Sequence, residues 1–514
     1  MQIPSSLSQV AQTVINAINS SGTLTAGGLG ANNRFGAVVV SPKGKPFEVL
    51  SVNEENWQSV LGKPWHPSVG TDADCLRQLG ESVSASDGRV VRVVASDASF
   101  PVIQAHNTGE AQPTTVSTDS YGTQVVAIST AWAAFYVVDG DSDRVRTIDI
   151  VKNDTDSTIA IKVTEDGING AVELEDWVVS LDVEAVDDGG VNMFIETLVN
   201  RSSVINVALR PDATFAEAQD LNKAFTKPVA GGAIDASDMI KALDVLHYSM
   251  EYLTAYVAMG MYDATYLAKL ADYSTDRLID SFADLVPSIT YAAALLAAPA
   301  LGINNYHMAL YHFPYTAKDP YYGGRAIWGL SGSAFAAKAK GRDITTGATV
   351  GVHYSPAGVD LATIQRADLI QVKGVGIPDY SAMVDVRINK INVDNGRLFI
   401  DDALTLWGKR DYLRFQHVGS VCDEFSKQFH AGANALRHKP DGITKKGLSR
   451  LLNTIGESFV TSGALVKPRN PDDDGVEPFW FEVKQTEFDL WTCRWGLCVT
   501  GTNRRTKGEP VLIK

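Results

Sequence analysis

A change of pattern along the chain constrains the fold more than any other feature. Residues 100–190 consist almost entirely of short strand-like runs with turn signals about every 8 to 12 residues, which is typical of a β-sandwich or barrel. After residue 190, strand-like runs alternate with helical runs of about 10 to 15 residues. That alternation predicts βαβ units. We therefore expect an α/β core with a mixed, mainly parallel sheet and flanking helices, and a β-rich domain inserted into it.

The chain is also long enough to form several domains. Its 514 residues exceed what one hydrophobic core usually holds. Residues 5–21 predict a short amphipathic helix, and a glycine-rich segment separates it from the first strands. The predicted map is a helix and flexible arm over 1–33, a small α/β domain over 34–99, a β-rich insert over 100–190, the α/β core over 191–500 and a terminal arm strand over 501–514.

Periodicity places the individual helices and strands. Helices are expected over 193–200, 235–246, 264–273, 288–298, 413–437 and 444–459. Strands are expected over 124–128, 204–209, 254–259, 282–286, 306–313, 479–484, 495–500 and 509–513. The helix over 444–459 carries an apolar stripe of Leu448, Leu451, Leu452, Ile455 and Phe459.

Composition argues against several classes of function. A net charge of −15 does not suit a nucleic-acid binder, which needs a basic face to neutralise phosphates. No apolar stretch approaches the length of a membrane span, and the first 22 residues do not have the pattern of a signal peptide. The four cysteines are too few for a disulfide framework, so we expect free thiols and a reducing cytoplasm: Cys75, Cys422, Cys493 and Cys498.

A search for catalytic motifs gives only weak candidates. The glycines over 28–33 imitate a dinucleotide-binding turn, but they precede a strand where that motif must follow one. Ser331 lies in an incomplete nucleophile elbow, and we expect it to cap a helix instead. His307 and His312 are five residues apart in one strand, which places them on opposite faces and prevents them from sharing a metal.

Two aspartate-rich segments resemble the opening of a calcium-binding loop. The loop that begins at residues 470–475 would need a glutamate where Phe481 stands. Residues 139–143 lack the glycine that should follow the last aspartate. We expect solvated turns at both, with a weak structural Ca²⁺ site as the open alternative. The sequence thus predicts no catalytic, cofactor or metal residues, and we expect a structural protein and not an enzyme.

Several segments, in order, resemble the tail sheath proteins of contractile bacteriophages. The best match is central: residues 306–315, followed by Asp319 and Pro320, are similar to the family's strand with the pattern A-L-Y-aromatic-P and a later D-P. Residues 331–343 are similar to its small-residue helix ending in R-x-D, and residues 351–358 to a turn in which Tyr354 replaces the usual Trp. Further similar segments are 35–40, 47–52, 56–62, 89–94, 192–207, 398–407 and 410–418.

This resemblance implies a function and a set of partners. Sheath subunits form stacked hexameric rings around a tail tube, contract to drive the tube through the host envelope, and contact baseplate and tail terminator or neck proteins. It also implies assembly in the host cytoplasm, a final place in the virion tail, and a β-rich domain that points outward. Terminal arms add strands to neighbouring subunits in this family, and the candidate strand here is Val511, Leu512 and Ile513.

A contact with the tube should be small, polar and exchangeable, because the tube must slide after firing. Lys445, Lys446 and Arg450 can lie off the apolar stripe of their helix and are the candidates for it. The open alternative is a solvated helix face. Two other classes of protein also remain open: a β-rich surface-binding virion protein, and a cytoplasmic α/β enzyme whose site the sequence does not show.

Overall fold

The computed structural model describes residues 33–106, 111–117, 131–140, 144–167, 170–226, 232–344 and 351–504. The helix expected over 5–21 with its glycine-rich arm, the strand expected over 124–128 and the strand expected over 509–513 lie outside these residues.

The first part of the chain contains three strands and two helices. They are β1 (Arg34–Val39), β2 (Val49–Val52), α1 (Trp57–Leu61), α2 (Cys75–Val83) and β3 (Asp87–Arg92). The β-rich part follows with β4 (Ser99–His106), β5 (Ala111–Ser117), β6 (Ala131–Val137), β7 (Arg146–Asn153), β8 (Thr158–Gly167), β9 (Gly170–Val179), α3 (Ile195–Val199), β10 (Ile205–Leu209) and β11 (Leu221–Ala224).

Helices and strands then alternate. They are α4 (Ala236–Tyr248), β12 (Ala255–Val257), α5 (Ala264–Arg277), β13 (Asp280–Asp284), α6 (Tyr291–Ala300), β14 (Met308–Tyr311), β15 (Tyr315–Lys318), β16 (Arg325–Ile327), α7 (Ser331–Asp343), α8 (Val359–Ala362), β17 (Ile370–Gln371), α9 (Tyr380–Asp385), β18 (Ile388–Asn389), β19 (Ile391–Asp394) and β20 (Arg397–Ile400). The C-terminal part adds α10 (Gln416–Asn434), α11 (Asp441–Thr461), α12 (Pro471–Asp474), β21 (Phe479–Gln485) and β22 (Trp491–Leu497).

A seven-stranded sheet organises the core, in the order β18-β14-β13-β12-β1-β3-β2. Neighbouring strands in it are parallel except β2 and β3, which are antiparallel. The expected mixed, mainly parallel sheet with flanking helices is therefore confirmed. Strands of a parallel sheet are buried on both faces, and β1, β12 and β14 are almost entirely apolar and buried. Strand β13 is buried along its whole length although it carries Asp280, Ser281 and Asp284.

The separate small domain predicted over 34–99 is wrong. Strand β1 lies inside the seven-stranded sheet, where Phe35 pairs with Ala255 on one side and with Gly88 on the other. Phe35 packs against Phe335 of α7, with ring centroids 5.2 Å apart. The N-terminal strands thus share one hydrophobic core with strands that follow more than 150 residues later in the sequence.

The β-rich part consists of two four-stranded antiparallel sheets, β10-β6-β4-β5 and β11-β7-β8-β9. They enclose a second hydrophobic core, in which Trp132 and Phe135 are fully buried. This unit extends to residue 226, beyond the predicted boundary at 190, because β10 pairs with β6 and β11 pairs with β7. The helix and strand expected to begin the core over 193–209 are therefore part of the β-rich unit.

The two ends of the β-rich unit meet at the core. The backbone N–H of Gly232 donates a hydrogen bond of 2.8 Å to the carboxylate of Asp97. Chain segments that leave and return at one point can be removed with little effect on the rest. Deletion of 98–231 is thus expected to leave a soluble α/β core with a cooperative melting transition.

Deletion of 100–190 alone serves as the contrast. It removes β7 and β6 but retains β10 and β11, whose hydrogen-bonding partners and apolar neighbours are then lost. We expect that shorter deletion to be insoluble, as judged by its distribution between soluble and pelleted fractions. Equal solubility of the two variants would contradict these boundaries.

Candidate assembly surfaces

The C-terminal hairpin of β21 and β22 packs one face on the last two long helices. Its register places Phe481 opposite Trp495 and Val483 opposite Cys493, so these side chains share a face. The Trp495 ring lies 4.9 Å from Phe429 and 5.7 Å from Phe425 of α10. The alternation of apolar and polar residues along each strand thus fixes which face meets the helices.

A glycine in α11 allows this close packing. A Cβ atom at Gly456 would lie 2.3 Å from the Phe479 ring, where no real Cβ atom fits. The hairpin therefore lies directly on the backbone of α11. The helix itself is confirmed as predicted: Leu448, Leu452, Ile455 and Phe459 are buried, and Leu451 is half-buried.

The hairpin is incomplete as a sheet. Within the described part of the chain, β21 and β22 pair only with each other, and each strand has seven residues. An isolated two-stranded sheet is marginally stable, and its unpaired edges are templates for further strands. Its inner face is also only partly covered, because the following side chains are all half-buried: Phe479, Phe481, Val483, Trp491, Cys493, Trp495 and Leu497.

The chain leaves this region beside the start of α10. The N–H of Val466 donates to the carbonyl of Cys498, and Arg504 forms an ion pair with the buried Asp402, with Nε 2.7 Å from Oδ1. Val511, Leu512 and Ile513 lie beyond the described residues, so their role remains a prediction. Residues 505–514 follow Arg504 in the sequence.

The three candidate cations for a tube contact lie together on α11. Lys445, Lys446 and Arg450 are exposed, whereas Thr444 and Leu448 beside them are buried. Within the described residues, none of the three forms an ion pair with an acidic side chain of the chain itself. Their charges are therefore available to a partner, and their role in tube contact stays a prediction.

A buried ion pair explains one motif on which the resemblance rests. Arg77 of α2 lies 2.7 Å from the Asp319 carboxylate after β15, and both side chains are almost completely buried. Arg77 also donates to the carbonyls of Trp65 and Ala73. Asp319 therefore anchors the first part of the chain to the core, across 242 residues of sequence.

A second buried carboxylate caps α7. The backbone N–H groups of Leu330 and Ser331 donate to Asp284, at 2.7 Å and 2.8 Å. Burial raises the pKa of Asp284 to about 6, although these two N–H groups oppose the shift. The prediction that Ser331 caps the helix is wrong: Ser331 is its first residue, and its hydroxyl donates to Gln78.

Further buried polar contacts join α7 and α10 to the sheet. The ammonium of Lys338 lies 3.2 Å from Asp280 and 2.6 Å from the hydroxyl of Ser420. Arg342, near the end of α7, donates to Asn33 and lies near Glu424. These charged groups are buried or nearly so, and their contacts hold the two helices against the sheet.

The remaining candidate ligands are dispersed. His307 lies 3.1 Å from Asp423, whereas the ring of His312 packs edge-on against Tyr291. The four cysteines are free thiols. Residues 471–474 form a short exposed helix, and residues 141–143 of the other aspartate-rich segment are outside the described part. Among the described residues, no three His, Cys, Asp or Glu side chains are placed to hold a metal ion, and no helix is long and apolar enough to cross a membrane.

Comparison of the sequence with protein-family models and with curated proteins gave no match. The fold, however, is that of a tail sheath protein. It matches the sheath tail protein of Listeria innocua over 91% of this chain and 96% of that one, with a TM-score of 0.52 and 11% identical residues. The resemblance predicted from the sequence is thus confirmed at the level of the fold.

Two other solved structures are similar over different lengths. The sheath tail protein of Desulfitobacterium hafniense covers 91% of this chain and 97% of its own, with a TM-score of 0.49 and 11% identity. A sheath protein from the contracted PVC sheath complex of an extracellular contractile injection system covers 54% of this chain and 75% of its own, with a TM-score of 0.41 and 15% identity.

Proposed function

We propose that this chain is the structural subunit of a contractile tail sheath of a bacteriophage. In this proposal it has no enzymatic activity, polymerises as stacked hexameric rings around a tail tube, and contracts to drive the tube through a host envelope. The observation that carries the proposal is the shared fold, which extends over 91% of the chain. A likeness over nearly the whole chain leaves little room for a separate catalytic domain.

The hairpin supports a route to polymerisation. Its two seven-residue edges offer backbone hydrogen bonds to an added strand, and its half-buried inner face gains cover from one. We commit to one occupant, residues 511–513 of a neighbouring copy. Val511, Leu512 and Ile513 have strong strand propensity and lie within ten residues of the last described position, Arg504.

The arrangement of domains in the assembly follows from the same proposal. The α/β core faces the tube and the β-rich unit points outward, since the chain enters and leaves that unit at neighbouring points, Asp97 and Gly232. The partners are the tube protein, the baseplate and the tail terminator or neck proteins. Assembly takes place in the host cytoplasm, and the finished subunit belongs to the virion tail.

Electron microscopy of the purified protein tests the proposal. A sheath subunit is expected to form rings or long empty tubes as its concentration rises. Dispersed particles at every concentration would reject it and favour the two alternatives, a surface-binding virion protein or an α/β enzyme. Replacing Trp495 with Ala, which removes the ring that packs on Phe425 and Phe429 of α10, should also weaken tube formation.

The tube contact can be tested by charge reversal on α11. Lys445→Glu, Lys446→Glu and Arg450→Glu together should leave empty sheath assembly unchanged but reduce assembly on purified tubes. Each exposed ion pair contributes about 1 kcal/mol or less, so the effect depends on repetition over many subunits. The reduction should be larger at low salt, where screening is weak. Co-sedimentation with tubes at two salt concentrations measures it.

A second triple variant controls for the change in net charge. Lys340, Lys373 and Arg397 are also exposed cations, and they lie away from α11. Their replacement by Glu should leave tube binding as in the parent protein. Equal binding by the α11 variant and the parent at low salt would eliminate this helix as the contact.

A further inference from the structure

The turn of the C-terminal hairpin presents an unusual exposed group. Residues 486–490 join β21 to β22, and the ring of Phe488 at their centre is 94% exposed. Glu487 and Asp489 flank it, and both are exposed and form no ion pair in the described part of the chain. An aromatic ring held in solvent between two acids has no role in the packing of its own chain.

The loop before α10 has the complementary composition. Lys409 and Arg410 are exposed, and Tyr412, which follows them, is 78% exposed. The loop also contains Asp411, whose carboxylate accepts hydrogen bonds from the Trp407 indole N–H at 2.8 Å and from the backbone N–H of Leu413 at 3.0 Å. Two cations against one acid leave the loop with a net positive charge.

Other cations crowd around this loop. Burial lowers the pKa of Arg414, and the nearby positive charges of Arg387, Arg504 and Arg410 lower it further. Arg504 is paired with Asp402, whose carboxylate opposes that lowering of the Arg414 pKa. The loop over 408–412 is therefore the exposed part of a basic cluster in a chain whose net charge is −15.

These two features lie at opposite ends of the hairpin. The C-terminal end of β22 leads to the region of the basic loop. The carbonyl of Thr500 lies 3.2 Å from His417 Nε2, and Arg504 contacts Asp402. The turn is at the far end of β22, whose seven residues span roughly 23 Å at about 3.3 Å per residue. The acidic turn therefore cannot reach the basic loop of its own chain.

We propose that the turn over 486–490 of one copy docks on the loop over 408–412 of the next copy. Glu487 and Asp489 would meet Lys409 and Arg410, and Phe488 would pack on Tyr412. Such a contact joins two different surfaces head to tail, and contacts of this kind generate open helical filaments when they do not close into a ring. The inference rests on the proposed sheath function and names a subunit contact that the strand-exchange arms do not provide.

Charge exchange tests the contact. Glu487→Lys with Asp489→Lys, or Lys409→Glu with Arg410→Glu, should each raise the protein concentration needed for assembly at least tenfold. The chain that carries all four substitutions should assemble within threefold of the parent, because the charges attract again. Failure of that recovery, or parent-like assembly of both double variants, would overturn the docking. Glu54→Lys with Glu55→Lys makes the same change in net charge as Glu487→Lys with Asp489→Lys, at another exposed site, and should have no effect.

Zero-length carbodiimide cross-linking separates this inference from the sheath proposal. In a mixture of isotopically light and heavy protein, we expect a link between Lys409 of one copy and Glu487 or Asp489 of another. If the cross-link forms but no tubes are seen, the docking is retained and the sheath proposal is rejected. If tubes form without the link, and both double charge variants assemble like the parent, the sheath proposal is retained and the docking is rejected. A concentrated protein that gives neither tubes nor the link rejects both.

Discussion

Deletion of residues 508–514 is expected to leave a folded monomer that no longer polymerises. The segment follows the last described residue, Arg504, after a short polar stretch, and it carries the strand-forming Val511, Leu512 and Ile513. A terminal strand on such a tether can pair with a neighbouring chain, and main-chain hydrogen bonds give the affinity. Within the described residues, the hairpin of β21 and β22 has no strand paired to either of its edges, so both can accept this one. Electron microscopy and sedimentation measure the loss of assembly, and a thermal melt checks the fold.

A pair of point variants distinguishes the contribution of the backbone hydrogen bonds from that of the side chains. Leu512→Pro removes a backbone donor and should abolish assembly, because proline is excluded from paired strand interiors. Leu512→Ala keeps the donor and should retain most of the assembly. Loss of the cooperative melting transition on deletion of 508–514 would instead show that the strand belongs to the core of its own chain.

Local patterns predicted the long elements well. The helices expected over 413–437 and 444–459 correspond to α10 and α11, because an apolar stripe at helical spacing over four or more turns admits few other structures. The alternation from β12 to β14 correctly indicated the parallel sheet, since the chain passes through α5 and α6 between these strands.

Boundaries between units failed where pairing is distant in sequence. The sequence pattern around β1 is typical of the start of a small domain. In the sheet, however, β1 pairs on one side with β12, which lies more than 200 residues later in the sequence. Helix α3 and strand β10 read like the first step of the α/β alternation, yet β10 completes a sheet with β6. A local period cannot show which strands pair, so the domain limits at 99 and 190 were placed wrongly.

The candidate surfaces were predictable only in part. The exposure of Lys445, Lys446 and Arg450 followed from the stripe on α11, because side chains off a buried stripe face solvent. The open edges of the hairpin could not be read from the sequence, since the apolar alternation over 479–485 looks the same in a paired strand. The exposure of Phe488 was also missed, and its position between two acids in a turn was the available signal.

Replacement of Arg77 by Met should destabilise the core by about 3–5 kcal/mol. Arg77 and Asp319 are 2.7 Å apart and almost completely buried, so loss of the guanidinium leaves an uncompensated carboxylate in the interior. The Tyr321 N–H also donates to Asp319, at 3.1 Å, and this neutral contact cannot replace the lost charge. Urea unfolding of the monomer, followed by tryptophan fluorescence, measures the change in the free energy of unfolding.

Two controls show whether burial is the cause. Asp319→Asn on the Arg77→Met background removes the unpaired charge but keeps the acceptor for Tyr321, so it should recover at least about 1 kcal/mol. Lys484→Ala breaks the exposed pair with Glu482 and should leave the free energy of unfolding close to that of the parent. A loss for Arg77→Met as small as that for Lys484→Ala would mean that α2 is not anchored through Asp319. A large loss, in one cooperative transition, would show that residues 34–99 unfold together with the α/β core that they complete.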